Sequence, residues 1–137
     1  MSQENVEIIR NMYEAWITEG DRGVPFATFD PDIEINPDPE AAWVGIGEVY
    51  RGHAGLRSYM EAVYEAFDDY RPEVEQLIDL DDRVLTLAIE RGKGRGSGAD
   101  VQANETAHLW TMRGGKAVRL DLYLNRDGAF KAVGMAQ

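Results

Sequence analysis

The chain has 137 residues, with 14 lysines and arginines against 25 aspartates and glutamates, a net charge of −11. That charge argues against nucleic acid and anionic membrane as partners, because both need a basic surface, and it is in keeping with solubility. The absence of cysteine excludes disulfides and thiolate metal sites, and the length fits one domain, residues 1–137, with a core that needs no staples.

Met1 to Asn5 carry neither the basic run nor the apolar core of a leader, and no apolar run reaches the ~20 residues of a membrane helix. A soluble, cytoplasmic protein is the simplest expectation. Val6, Ile9, Met12, Tyr13, Trp16 and Ile17 recur at helical spacing and predict a first helix. Ser2 is its expected N-cap, Glu4 and Glu7 suit its positive end, and Gly20 suits its C′ position. Tyr13 and Trp16 lie three apart on the face to be buried. Tyr13 either packs as core or points its hydroxyl, which needs a partner when buried, into a pocket.

A short second helix is expected over 24–29, with Pro25 in its first turn. Asp30, Pro31 and Asp32 then turn the chain, and residues 33–36 alternate as a short strand. The loop over 37–48 holds Trp43, Val44 and Ile46 among prolines and glycines. An apolar loop of this kind covers something, either a cavity as a lid or a partner.

Leu56, Tyr59, Met60, Val63, Tyr64 and Phe67 mark a third helix, ended by Pro72. His53, just before it, has the place of an exposed or capping residue. From Val74 the period changes to two, with strands over 74–80 and 84–91 joined by a tight acidic turn at Asp81 and Asp82. Residues 92–98 are glycine-rich but lack the Gly-Lys-Ser/Thr order of a phosphate loop and join strand to strand, so a hairpin tip is expected. Strands over 101–112 and 117–125 complete a four-strand antiparallel meander, and 127–133 forms a last helical turn with Phe130 and Val133 tucked in. Helices first and strands after imply an α+β fold. The picture is a curved, mostly antiparallel sheet wrapped around a long N-terminal helix, making a cone with one open end.

The hairpin over 105–125 carries most of the chemistry. Gly114 and Gly115 can take the positive φ values that a two-residue turn needs. An unbroken ladder then sets Arg113 opposite Lys116, Thr111 opposite Val118, Leu109 opposite Leu120 and Ala107 opposite Leu122. One face is aliphatic, with Glu105 as its single carboxylate. The other sets Trp110 opposite Arg119, His108 opposite Asp121 and Thr106 opposite Tyr123. A histidine opposite an aspartate is what base chemistry near neutral pH uses, because the carboxylate fixes the imidazole tautomer. The same pair also fits a convex face or a subunit interface. Trp110 over Arg119 has the makings of a cation–π pair.

Several stretches together resemble the SnoaL-like group of the nuclear-transport-factor-2-like superfamily, over nearly the whole chain. They are the opening helix from Glu4 through Tyr13 and Trp16 to Gly20 and Asp21, the turn from Phe29 through Asp30, Pro31 and Asp32 into a strand, Tyr50-Arg51-Gly52-His53 before the third helix, and His108-Leu109-Trp110-Thr111 followed by Gly115-Lys116. The superfamily includes ketosteroid isomerases, limonene-type epoxide hydrolases, scytalone dehydratase and polyketide cyclases, so the resemblance implies the address of a pocket and leaves the reaction open. It also implies a homodimer. Carried over, the isomerases' oxyanion-hole tyrosine matches Tyr13. Their general-base aspartate falls at Asn36-Pro37-Asp38, where Asp38 is the ionisable residue, displaced by one or two positions. Their second oxyanion acid falls near Ala107 and the epoxide hydrolases' acid near Leu122, both inert. Neither constellation is intact, and the alignment turns the aliphatic face toward the pocket.

Two placements therefore stay open. If the ladder faces the cavity, His108 and Asp121 are the catalytic pair, Tyr13 donates to a developing oxyanion, and Trp110 and Tyr123 contact substrate. If the aliphatic face does, Tyr13, Asp38 and Glu105 are the polar groups of a mostly apolar pocket. Trp16, Trp43, Tyr59 and Leu120 complete the expected binding residues. Two functions also stay open. One is a cofactor-free enzyme acting on a small hydrophobic carbonyl compound by isomerisation, cyclisation, dehydration or hydrolysis. The other is a non-catalytic small-ligand module or dimeric scaffold. A titrating group inside the cavity separates them. Two histidines far apart in sequence and no cysteine give no metal-ligand spacing.

Overall fold

The structure is a computed structural model and describes residues 2–19, 26–40, 48–94 and 100–135. In chain order it holds helix α1 (Ser2–Glu19), a 3₁₀ turn (Phe26–Thr28), strands β1 (Phe29–Asn36) and β2 (Tyr50–Arg51), helix α2 (Gly52–Ala66), strands β3 (Phe67–Asp79), β4 (Arg83–Gly94), β5 (Asp100–Arg113) and β6 (Lys116–Tyr123), and helix α3 (Arg126–Ala132). No described helix is long and apolar enough to cross a membrane. Gly20, Trp43, Val44, Ile46 and most of the expected hairpin tip lie outside the described residues.

α1 buries Ile9, Met12 and Tyr13 completely and Trp16 in part, as its spacing predicts. Ile17 departs from that pattern and is 43% exposed. The expected second helix is reduced to the 3₁₀ turn, and β1 begins at Phe29, four residues before the predicted strand. Asp30 makes that early start by accepting the amide of Asp32 at 2.8 Å, a local turn inside an extended segment.

α2 starts where Gly52 takes φ +70°, and a Cβ there would lie 3.0 Å from the Pro31 carbonyl oxygen. His53 donates from Nε2 to the Phe29 carbonyl at 2.9 Å, so it ties α2 to β1. The helix ends at Ala66, earlier than expected, and Phe67 already belongs to β3. Pro72 is not the helix stop. It sits inside β3, opposite Glu90, and is tolerated because β3 is an edge strand that needs no amide on its outer side.

The sheet order is β2-β1-β6-β5-β4-β3. The meander from β3 to β6 is antiparallel as predicted, and β1 adds to it in parallel on β6. The sheet is thus mixed. α1 and α2 cover its inner face over a core that includes Ile33, Ile35, Val84, Trp110 and Leu120. α3 covers part of the outer face over Leu85, Leu87, Ala107 and Leu109. Asn125 caps α3 by accepting the amide of Asp127 at 2.8 Å.

The β5–β6 hairpin corrects the regular ladder. Gly114 and Gly115 turn the chain with φ +58° and +79°, and Arg113 pairs with Lys116 and Met112 with Ala117. Then one extra residue enters β6. Thr111 pairs with Arg119, Trp110 with Leu120, Leu109 with Asp121, His108 with Leu122 and Ala107 with Tyr123. This β-bulge exchanges the faces of β6 beyond it. An unbroken ladder would point Arg119 and Asp121 inward at Trp110 and His108, where neither charge could be hydrated. The bulge turns them outward and brings Leu120 and Leu122 into the core. The inner face is therefore the polar half of β5 joined to the aliphatic half of β6.

Candidate functional site

A cavity opens between the helices and the inner face of the sheet. It measures about 410 Å³ including the open space at its mouth. Met12 and Trp16 of α1 line it, as do Leu56, Tyr59 and Met60 of α2. The sheet adds Phe29, Tyr70, His108, Trp110, Leu120 and Leu122.

His108 is the polar centre. It is 3% exposed, and β5 places it opposite Thr86 of β4. The Trp110 indole N–H donates to the Tyr13 oxygen at 3.0 Å. Tyr13 in turn is 2.6 Å from His108 Nδ1, and His108 Nε2 is 3.1 Å from Glu90 Oε1. The same carboxylate oxygen accepts from the Tyr70 hydroxyl at 2.5 Å. With Glu90 ionised, His108 donates to it from Nε2, and in the neutral imidazole Nδ1 accepts from Tyr13. A continuous chain of donors thus runs from Trp110 through Tyr13 and His108 to Glu90.

Burial alone would raise the Glu90 carboxyl. The hydrogen bond and charge interaction with His108, with help from Tyr70 and Thr106, outweigh that and hold it below its ordinary value. Burial pushes the Tyr13, Tyr59 and Tyr70 phenols up, and the neighbouring Glu90 charge pushes the same way. All three stay neutral and able to donate. Tyr59 is 8% exposed, and its hydroxyl has no hydrogen-bond partner among the described residues. Trp16 donates from its indole to Tyr64 at 2.7 Å.

Of the residues expected from sequence, the structure brings Tyr13, Trp16, Tyr59, His108, Trp110 and Leu120 together at or beside this cavity. It does not bring the others. Asp121 is turned outward by the bulge and is held by Arg119 at 2.9 Å, so the His108–Asp121 pair does not form. Arg119 reaches Glu34 at 3.4 Å on that outer side and does not stack on Trp110. Tyr123 packs in the outer cluster against α3. Glu105 is on the outer face, 70% exposed, with Arg126 at 3.9 Å. Asp38 is no pocket carboxylate: its two oxygens accept the amides of Leu124 and Glu40 at 2.9 and 3.0 Å, which ties the end of β1 to the end of β6. Trp43 lies outside the described residues.

The partner His108 does have, Glu90, was not visible from sequence. β4 is apolar on both faces through Leu85, Leu87 and Ala88, so the alternation that would orient Glu90 is weak. Pairing β4 with β5 residue by residue is what would have revealed it, because Glu90 then falls two pairs from Thr86 and His108 on the same face.

A family model of the SnoaL-like domain matches residues 9–120, and the chain belongs to that family. No curated protein matches it by sequence. Among solved structures, TerC co-crystallized with polyporic acid is similar over 96% of this chain and 98% of that one, with a TM-score of 0.78 and 23% identity. An NTF2-like protein of unknown function from Burkholderia pseudomallei is similar over 95% and 97%, at 0.79 and 20%. A protein with a ketosteroid isomerase-like fold from Catenulispora acidiphila, in complex with trimethylamine, is similar over 95% and 94%, at 0.72 and 17%. At these identities the likeness is one of fold.

Proposed function

We propose that this protein binds a small, mostly apolar carbonyl compound and moves a proton on it, with His108 as the acid–base group, Glu90 as its orienting partner and Tyr59 as donor to the carbonyl oxygen. The observation that carries this reading is the hydrogen-bonded Glu90–His108 pair at the wall of a cavity whose other surface is apolar. Glu90 holds Nε2–H, so the basic lone pair is on Nδ1, and it takes a substrate proton once the Tyr13 hydroxyl that donates to it here turns aside. A carbon-bound proton beside the carbonyl passes to the imidazole, and its electron pair moves onto the carbonyl oxygen as an enolate. The Tyr59 hydroxyl, without another partner among the described residues, donates to that oxygen. Returning the proton to a different carbon yields an isomer with the same atoms and needs no cofactor. The buried Glu90 charge disfavours an anionic ligand. Met12 and Met60 give the small cavity walls that can adapt to a ring. Two of the similar structures hold small molecules, polyporic acid and trimethylamine, which supports a small-molecule ligand here.

The test is a panel of cyclic ketones and enones in D2O, with deuterium entry beside the carbonyl followed by NMR and binding followed by Trp16 and Trp110 fluorescence. Exchange above background that falls at least about 100-fold in His108→Gln is the expected result. Binding without exchange would leave the non-catalytic ligand module as the function. The homodimer belongs to the same proposal, and sedimentation equilibrium of the full chain reads it directly.

A further inference from the structure

Thr86 has no role in that scheme, yet it sits at its centre. It faces His108 across the β4–β5 ladder and is fully buried. Among the described residues, its Oγ1 is the buried side-chain polar atom left without a hydrogen-bond partner. Native interiors keep few such groups, and each calls for a reason. No hydrogen bond joins it to Tyr13 in this structure, yet it is near enough to that phenol to work against the rise that burial imposes on it.

Tyr13 has a single proton to give. When His108 is neutral, that proton goes to Nδ1. When His108 is protonated, both ring nitrogens donate, and the Tyr13 oxygen then accepts from Nδ1–H as well as from Trp110. The Tyr13 proton must turn away and needs another acceptor. We propose that Thr86 is a positioning residue, the second acceptor that takes the Tyr13 hydroxyl proton whenever His108 is protonated and releases it when His108 is neutral.

Rotation of one O–H bond then carries the site between two hydrogen-bonded states with no heavy atom displaced. A site preorganised in both states exchanges a proton without rearranging itself. The other titratable groups facing His108 are Glu90 from β4, Tyr70 from β3 and Tyr59 from α2, and β6 presents Leu120 and Leu122. Glu90 Oε1 is already taken by the Tyr70 hydroxyl and His108 Nε2, and no hydrogen bond joins Tyr13 to Tyr59 or Tyr70 among the described residues, which leaves Thr86 as the acceptor facing this centre.

The experiment is the NMR titration of the His108 imidazole in the ligand-free full chain, in wild type, Thr86→Val and Thr86→Ser. Valine keeps the shape and removes the acceptor, so the protonated state loses its second arrangement. The titration midpoint is expected to fall by about one pH unit in Thr86→Val, tenfold in the protonation equilibrium, and to return in Thr86→Ser. An unchanged midpoint in Thr86→Val overturns the proposal. If Thr86→Val does not fold, Thr86→Ala is read in the same way. No ligand takes part, so the result stands or falls independently of any turnover.

Discussion

Replacing Glu90 by glutamine probes the electrostatics of the buried centre. One carboxylate oxygen accepts from Tyr70 at 2.5 Å and from His108 at 3.1 Å. The amide keeps a single acceptor oxygen and presents an NH2 group to donors. At least one hydrogen bond to an anion is lost, and such a bond is worth about 1.5–3 kcal/mol. Removing one partner of a fully buried pair costs about 3–5 kcal/mol. Here the Glu90 side chain is 20% exposed, so water relieves part of the loss. The expected cost at pH 7 is about 2–3 kcal/mol, or roughly 7–10 °C in Tm for a domain of this size. The pH dependence has a definite sign. The folded-state carboxyl is held below its ordinary value of 4.5, so its contribution is full above that value and is lost as pH falls through the folded one. Urea unfolding of both proteins at pH 7, 5 and 3.5 measures the gap between them. The gap should be full at pH 7 and pH 5 and narrower at pH 3.5. A cost under about 0.5 kcal/mol at pH 7, well below the net worth of one such bond, would refute the reasoning. So would a gap unchanged at pH 3.5.

Gly55→Ala sets helix propensity against packing. Alanine in a helix gains about 1 kcal/mol over glycine, but its Cβ would lie 2.9 Å from the backbone carbonyl carbon of Tyr50. The backbone has to shift, so a net loss of about 1–2 kcal/mol is expected, and a thermal melt at or above the wild-type Tm would sink that expectation. Asp38→Ala removes the acceptor of two amides and should cost about 1–2 kcal/mol in denaturant. It should leave ligand binding within about twofold, an RT ln 2 effect small against a lost hydrogen bond, since Asp38 does not line the cavity. A tenfold loss of affinity would place the aspartate in the pocket.

Strong local signals made the fold legible in the sequence. The 3.6-residue spacing of Ile9, Met12, Tyr13 and Trp16, the β-rich run from Val74 onward and the paired glycines at 114 and 115 each name an element. Tyr13, Trp16, Tyr59 and Trp110 were readable as residues at or beside the cavity because large amphipathic side chains on a buried stripe have few other places to go. The bulge in β6 was not legible. No glycine or proline marks it between Ala117 and Leu120, and the force that creates it is the penalty for burying Arg119 and Asp121, which depends on knowing which face is covered. One unpaired residue therefore exchanged Asp121 for Leu122 opposite His108 and made the predicted dyad impossible. Glu90, and Tyr70 beside it, were hidden for a related reason. Tyr70 fell in what read as the end of a helix, and β3 in fact begins at Phe67, three residues before it.

The place of β1 has a consequence for how the chain is made. Its neighbours in the sheet are β2, which follows soon after, and β6, which is separated from it by all the other strands. The closure entropy of that long loop is spent before the parallel pairing returns anything, so this pairing is a slow, non-local step. Until it happens, β1 offers an open edge to any other nascent strand. Asp30, Asp32 and Glu34 along β1 put negative charge on that edge. In a chain as acidic as this one, a second copy arriving at the same edge meets repulsion before it meets a hydrogen bond. The acidic excess thus guards the unfinished molecule.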